Sequence, residues 1–141
     1  MRYVVMTLLV LFLVGCASTP TKVQVTGDPI EKELKDRMDA TDAIADILSP
    51  MEEITKGQEA TDYILIKNAY DKETSFNLNA VCDPCFIKLE KTRTTIPAGG
   101  TVLVKVSIEG HDPVGQYSQM IKITDDLDNT YAMLELLVVV S

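Results

Sequence analysis

The sequence contains no tryptophan and a single histidine, His111, which limits the catalytic chemistry that the chain can support. A Ser-His-Asp or Cys-His site would have to use that histidine, and the G-x-S-x-G motif is absent. Its position beside Asp112 and Pro113 is typical of a solvated turn. Paired carboxylates for glycosidase chemistry, a phosphate-binding glycine loop and a basic aromatic patch are also missing. We therefore predict no enzymatic activity, no cofactor and no small-molecule substrate.

Basic residues are scarce. The chain carries 13 Lys and Arg against 21 Asp and Glu, a formal net charge of −8 at pH 7. A chain this acidic repels phosphate backbones, so we expect no nucleic-acid partner. It also gains no electrostatic attraction to an anionic lipid surface. Attachment to a membrane would therefore depend on acyl chains.

The apolar run from Tyr3 to Val14, interrupted only by Thr7, is shorter than the roughly 20 residues that span a bilayer as a helix. One positive residue, Arg2, precedes it, and small residues follow it. This layout is typical of a secretory signal. Removing it leaves a chain long enough for one domain with a single core.

The last four residues of this segment, Leu13-Val14-Gly15-Cys16, resemble position by position the lipobox of prokaryotic lipoproteins. The resemblance implies a signal peptide over residues 1–15 and a Cys16 that is diacylglycerated on sulfur, with chains such as palmitate, as the first mature residue. An ordinary signal peptide with an incidental cysteine and an uncleaved anchor are the alternatives. Because Ala17 and Ser18 follow rather than Asp, the resemblance implies the outer membrane if the source is a didermal bacterium. The small, polar residues 16–29 then form a tether.

A helical period follows the tether. Asp28 is a candidate cap with Pro29 in the first turn, and Ser49-Pro50 stops the pattern. Between them, charged side chains separate mostly apolar ones that recur every three or four residues: Ile30, Leu34, Met38, Thr41, Ala45 and Leu48. We predict an amphipathic helix over residues 30–49.

After Pro50 the apolar period becomes two, which is typical of strands. Turn residues separate the alternating stretches at regular spacing, and this series favours an antiparallel β-sandwich over residues 50–141. The seven predicted strands lie around residues 51–54, 62–68, 76–82, 85–89, 102–108, 117–124 and 131–140.

Two motifs refine this prediction. Residues 97–101 (PAGGT) precede an alternating valine strand, and residues 113–117 (PVGQY) precede Ile121-Lys122-Ile123. Both resemble motifs of the immunoglobulin-like domains of bacterial and archaeal surface proteins. The resemblance implies a seven-stranded immunoglobulin-like sandwich, with Tyr117 at the tyrosine-corner position. Antibody-type kinship is excluded, since there is no Trp and no cysteine pair spaced to join two sheets.

Cys82-Asp83-Pro84-Cys85 is the most distinctive motif of the predicted domain. A two-residue spacer across a turn brings two cysteines within disulfide range, and Asp-Pro favours the turn. In an exported protein we therefore predict a structural disulfide, with Cys82 and Cys85 both pointing toward the core. The alternatives are a thioredoxin-like redox pair, which lacks the usual helix N-terminus here, and zinc, which would need two further ligands.

The residues from Asp125 to Asn129 could offer oxygen ligands to Ca²⁺. They lack the glycine and the distal glutamate of an EF-hand loop. A plain hairpin turn without a metal is the favoured interpretation.

The last strand is apolar on both faces. If Ala132, Leu134, Leu136 and Val138 face the core, Glu135 is the only charged side chain on the other side. Something should cover such a face: either the helix of residues 30–48, or a protein partner that packs on it or adds a strand. The candidate partner-binding residues are Met120, Met133, Leu137 and Val139.

These observations predict an extracytoplasmic lipoprotein, held at a bilayer through acylated Cys16, that acts as a protein-binding or assembly module of the cell envelope or a surface complex. Two alternatives remain. One is a thiol–disulfide redox carrier that uses Cys82 and Cys85. The other is a filament or appendage subunit that exchanges residues 22–26 as a strand with a neighbour.

Overall fold

The computed structural model describes residues 28–141. The predicted signal peptide, the lipobox with Cys16 and the tether up to residue 27 lie outside the described residues. The elements are one helix and nine strands: α1 (Asp28–Thr41), β1 (Ala45–Ile47), β2 (Met51–Ile54), β3 (Glu59–Lys67), β4 (Thr74–Val81), β5 (Ile87–Leu89), β6 (Arg93–Ile96), β7 (Thr101–Glu109), β8 (Gly115–Thr124) and β9 (Thr130–Val140).

Helix α1 is shorter than the predicted segment 30–49. It ends because Asp42 adopts a left-handed conformation with φ of 57°, a geometry that Asp tolerates better than most residues. The Ala43 amide then donates to the Met38 carbonyl at 3.0 Å, which is the bond of a Schellman C-terminal cap. The helical spacing of Ala45 and Leu48 was therefore misleading, since Ala45 opens strand β1.

The strands form two sheets that pack as a sandwich. A four-stranded sheet has the order β1-β3-β7-β5, and a five-stranded sheet has the order β2-β9-β8-β4-β6. The prediction of a β-sandwich is confirmed, but the count of seven strands is wrong because β1 and β6 were not recognised. The prediction of a purely antiparallel arrangement is also wrong, since β2 pairs in parallel with β9, from Met51 opposite Leu137 to Ile54 opposite Val140.

Two groups of apolar side chains stabilise this arrangement. The main core lies between the sheets and includes Phe76, Ile121 and Leu136, all fully buried. A smaller group forms where α1 packs on the outer face of the four-stranded sheet, through Leu34, Met38 and Leu65. The helix therefore covers the sheet that contains β3 and β7.

The chain passes from the four-stranded to the five-stranded sheet at Ser49-Pro50, and the buried Asp62 lies beside this crossing. Its Oδ1 accepts hydrogen bonds from the amides of Ser49 at 3.1 Å and Tyr63 at 2.8 Å. Its Oδ2 is buried without a hydrogen-bond partner among residues 28–141. Burial raises the pKa of Asp62 to about 6, against the lowering effect of the two amides.

This pKa predicts a pH dependence of stability. A carboxyl with a raised pKa in the folded state binds more protons there than in the unfolded chain between about pH 4 and 6. Its stabilising contribution is therefore complete below about pH 4 and is lost as the pH rises through 6, by up to about 3 kcal/mol. Urea unfolding at pH 4 and pH 7 should show this loss in the native chain and not in Asp62→Asn. Equal pH dependence in both proteins would contradict the assignment.

Candidate functional site

The outer surface of the five-stranded sheet carries a group of apolar side chains, which we call the β9 face. The register brings them together. Met51 on β2 lies opposite Leu137 on β9, and Met120 on β8 lies between Val81 on β4 and Glu135 on β9. The β9 face consists of Met51, Val81, Met120, Met133, Leu137 and Val139.

Alternation along β9 separates core residues from face residues, as the sequence pattern predicts. Leu136 and Val138 are fully buried against the core. Met133 is 51% exposed, and Leu137 and Val139 are half-buried. Two residues that the sequence analysis missed join them, since Met51 and Val81 are each 52% exposed. Three large, half-exposed apolar side chains on one surface are a feature typical of an interaction site.

The helix does not cover this face. Of the two interpretations offered for the last strand, the one in which the amphipathic helix folds back over it is wrong. The residues of α1 that become buried, Leu34 and Met38, contact Leu65 on β3 of the opposite sheet. Within residues 28–141 the β9 face is therefore open.

Four charged side chains share this outer surface with the β9 face. Glu53 on β2 and Glu135 on β9 point outward on one half of it, with Glu135 opposite Met120, and Ser118 donates a hydrogen bond to Glu135 at 2.7 Å. Lys122 on β8, opposite Met133, and Arg93 on β6 point outward on the other half. The described ion pairs involve other residues, so these four charges have no ion-pair partner within residues 28–141.

The second candidate site, the loop from Cys82 to Cys85, contains a disulfide between these two residues, with the Cα atoms 5.0 Å apart. The disulfide prediction is supported, but the predicted orientation of both cysteines is not. Cys82 is half-buried against the core, whereas Cys85 is exposed. The strand pattern does not extend through the loop, because β5 begins only at Ile87.

Gln119 holds this loop and was not identified from the sequence. Its side chain is 1% exposed. Its Oε1 accepts a hydrogen bond from the Phe86 amide at 2.7 Å, and its Nε2 donates to the Pro84 carbonyl at 3.1 Å. A polar residue at a core position of β8 is thus satisfied by the backbone of the disulfide loop.

His111 is exposed, as expected of a turn residue, and it also contacts the disulfide loop. Its ring stacks on Phe86, with centroids 4.3 Å apart. Nδ1 lies 2.8 Å from the Asp112 carbonyl oxygen and Nε2 lies 3.0 Å from that of Cys85. Because carbonyls only accept, both bonds form together only when both ring nitrogens carry protons. These two carbonyls accordingly raise the pKa of His111.

Tyr117 has the geometry that a tyrosine corner requires. Its hydroxyl donates to the Val114 carbonyl at 3.2 Å, three residues upstream. Gly115 permits this approach, since its φ is 145° and a Cβ there would lie 3.3 Å from the Tyr117 hydroxyl. Tyr117 also packs on Phe86, with ring centroids 4.8 Å apart.

The Asp125–Asn129 segment is a hairpin turn in which Asp125 binds its own loop. Asp125 Oδ1 accepts from the Leu127 and Asn129 amides, both at 2.9 Å. Asp125 Oδ2 accepts from the Tyr70 hydroxyl at 2.9 Å. The carboxylate is therefore fully used by hydrogen bonds that close the turn.

Two further findings concern the chemistry of the described part of the chain. Across residues 28–141, no set of three or more His, Cys, Asp or Glu side chains is grouped as metal ligands would be. The one helix in that range is too short and too polar to span a bilayer.

Comparison with known proteins identifies the fold. No protein-family model matches the chain, and no curated protein matches it significantly. The PapD-like domain 7 of human CEP192 superposes with a TM-score of 0.56 and 9% identity, over 89% of this chain and 96% of that one. WR4, an MSP family member of C. elegans, superposes with a TM-score of 0.50 and 9% identity, over 70% of this chain and 98% of that one. A FixG-related protein from Vibrio parahaemolyticus superposes with a TM-score of 0.50 and 16% identity, over 60% of this chain and 81% of that one. At these identities the likeness shows the fold alone: the chain is a β-sandwich similar to immunoglobulin-like, MSP and PapD-like domains.

Proposed function

We propose that this chain is a membrane-anchored extracytoplasmic lipoprotein whose sandwich acts as a protein-binding or assembly module without enzymatic activity. The acyl chains on Cys16 hold the domain at the bilayer, and the β9 face docks a protein. The open, apolar surface of β9 is the observation that carries this proposal.

The anchor is supported by the sequence. The lipobox at Leu13-Val14-Gly15-Cys16 coincides with the end of a hydrophobic segment that is too short to span a bilayer. The net charge of −8 gives the chain no attraction to anionic lipid. Acyl chains would provide the membrane affinity that electrostatic attraction does not, since two or more of them hold a protein at a membrane.

Docking through the β9 face is supported by its composition. Met133 and Met51 present flexible thioether side chains, which adapt to the shape of a bound surface. Leu137, opposite Met51, and Val139, the next outward residue of β9, are half-buried and would lose their remaining contact with water on binding. Burial of apolar surface is the main source of affinity in such a contact.

The disulfide loop is better explained as a structural element than as a redox centre. Strands β4 and β5 flank Cys82 and Cys85, so no helix N-terminus lowers the pKa of a thiol there. Gln119 and His111 hold the loop from two sides. We therefore favour a protein-binding role over a thiol–disulfide carrier.

Replacing the two outward residues of β9 tests the docking surface. Met133→Lys and Leu137→Lys place charges in a contact that should be dry, so we expect about a tenfold or greater loss of captured partner in pull-downs from native membranes. Leu127→Lys is the matched control, since Leu127 is 75% exposed in the β8–β9 turn. Unchanged capture by both β9 variants, with unfolding temperatures equal to that of the control, would reject the β9 face as the interface.

A further inference from the structure

We infer that the protein that occupies the β9 face is a second copy of this chain. The inference rests on the proposed function, in which the β9 face is the docking surface, and it names the partner. The arrangement of charge around the apolar group carries it.

The outer surface of the five-stranded sheet is balanced in charge, although the chain as a whole is not. Two copies that each carry −8 repel one another over most of their surfaces. The surface around the β9 face presents two carboxylates, Glu53 and Glu135, and two basic groups, Lys122 and Arg93. Two copies can therefore approach through this surface without bringing net negative charge together.

The signs are also separated in space. The carboxylates lie on β2 and β9, and the basic groups lie on β8 and β6, with β9 next to β8 in the sheet. Consider a two-fold axis that lies in the plane of the face, perpendicular to the line from the acidic to the basic residues. It places the acidic residues of each copy over the basic residues of the other copy. An isologous contact of this kind uses each pair of groups twice, which is the usual geometry of a homodimer.

The same superposition brings the apolar residues together. Met120 lies opposite Glu135 and Met133 lies opposite Lys122, so the two methionines flank the boundary between the carboxylates and the basic groups. The two-fold operation therefore stacks this group on its own copy. Sheets that pack face to face lie about 10 Å apart, a distance that side chains of this size fill. None of the four charges has an ion-pair partner within residues 28–141. Glu53 and Arg93 lie at the polar rim of the contact, and Glu135 and Lys122 lie inside it beside Met120 and Met133.

Analytical ultracentrifugation of the full chain in density-matched detergent tests the inference. Over a concentration series we expect a reversible monomer–dimer equilibrium. Glu135→Lys and Lys122→Glu should each weaken the dimer by about tenfold or more, because each places like charges opposite one another. An equimolar mixture of the two variants should restore dimers as heterodimers. Leu127→Lys, on a turn outside this surface, should dimerise like the native chain.

Several results would overturn the inference. A monomer at every concentration would do so, as would dimers unaffected by either charge reversal, or a mixture that fails to restore association. Restoration by mixing also shows that both variants are folded. If the chain stays monomeric while Met133→Lys still abolishes capture of a different protein, the proposed function stands and the second copy is the wrong partner.

Discussion

Replacing Cys16 by Ser is expected to abolish acylation and move the protein out of the detergent-rich phase in a detergent phase-separation experiment. A serine hydroxyl cannot form the thioether that attaches diacylglycerol. Without two or more acyl chains, each CH₂ of which contributes about 0.8 kcal/mol of membrane affinity, the acidic domain has nothing else to hold it at a bilayer. Mass spectrometry of the N-terminal peptide of the native protein should show Cys16 as the first residue with its acyl mass.

Cys85→Ser is the matched control for this experiment. Cys85 is an exposed cysteine in the disulfide loop, so its replacement should leave the acyl mass and the partitioning unchanged. An unacylated native peptide would remove the anchor from the proposed function. Detergent-phase partitioning by Cys16→Ser with an intact N-terminus would instead identify the segment from Tyr3 to Val14 as the anchor.

Replacing Phe76 by Ala is expected to cost about 3–5 kcal/mol of the free energy of unfolding. Phe76 is fully buried, and its ring packs on Tyr131 and Tyr70 with centroid distances of 4.7 Å and 6.3 Å. Truncation leaves a cavity between two sheets that cannot close without moving both. The total free energy of unfolding of a domain of this size is about 5–15 kcal/mol. Urea unfolding should therefore show a large drop in the midpoint concentration at constant slope.

Leu127→Ala provides the comparison for that measurement. Leu127 is 75% exposed in the turn before β9, so its truncation should change the free energy of unfolding by less than about 0.5 kcal/mol. A change in Phe76→Ala as small as this would mean that the cluster of Phe76, Tyr70 and Tyr131 is not packed as described.

Periodicity in the sequence identified the fold class and the orientation of the last strand. In β9 the side chains that point inward, such as Leu136, are buried against the other sheet. The side chains that point outward, such as Met133, stay exposed. Burial of one face enforces that rule, so a strand pattern of period two could be interpreted without the structure. The hydrogen bond of Tyr117 was implied not by periodicity but by the resemblance of residues 113–117 to a motif of immunoglobulin-like domains.

The elements that could not be predicted depend on contacts between distant segments. In the sequence, Ala45–Ile47 has the spacing of a continued helix. In the structure the helix ends at the left-handed Asp42, and Ala45–Ile47 forms a strand that pairs with β3. The sequence also does not show that the β9 face is open. The apolar side of an amphipathic helix can pack on either sheet, and its spacing does not say which one. Gln119 was missed because its partners, the backbone groups of Pro84 and Phe86, become neighbours only through folding.

The parallel pairing of β2 with β9 has a consequence for the order in which the chain can fold. The first strand of the five-stranded sheet, β2, pairs with β9, the element furthest from it along the described chain, so this edge of the sheet cannot be completed until β9 has formed. Contacts between segments this far apart form late and slowly. A partly folded chain in which β9 is not yet in place would therefore leave β2 without a neighbour and one edge of β8 unpaired, and the five-stranded sheet would close only when β9 inserts between them.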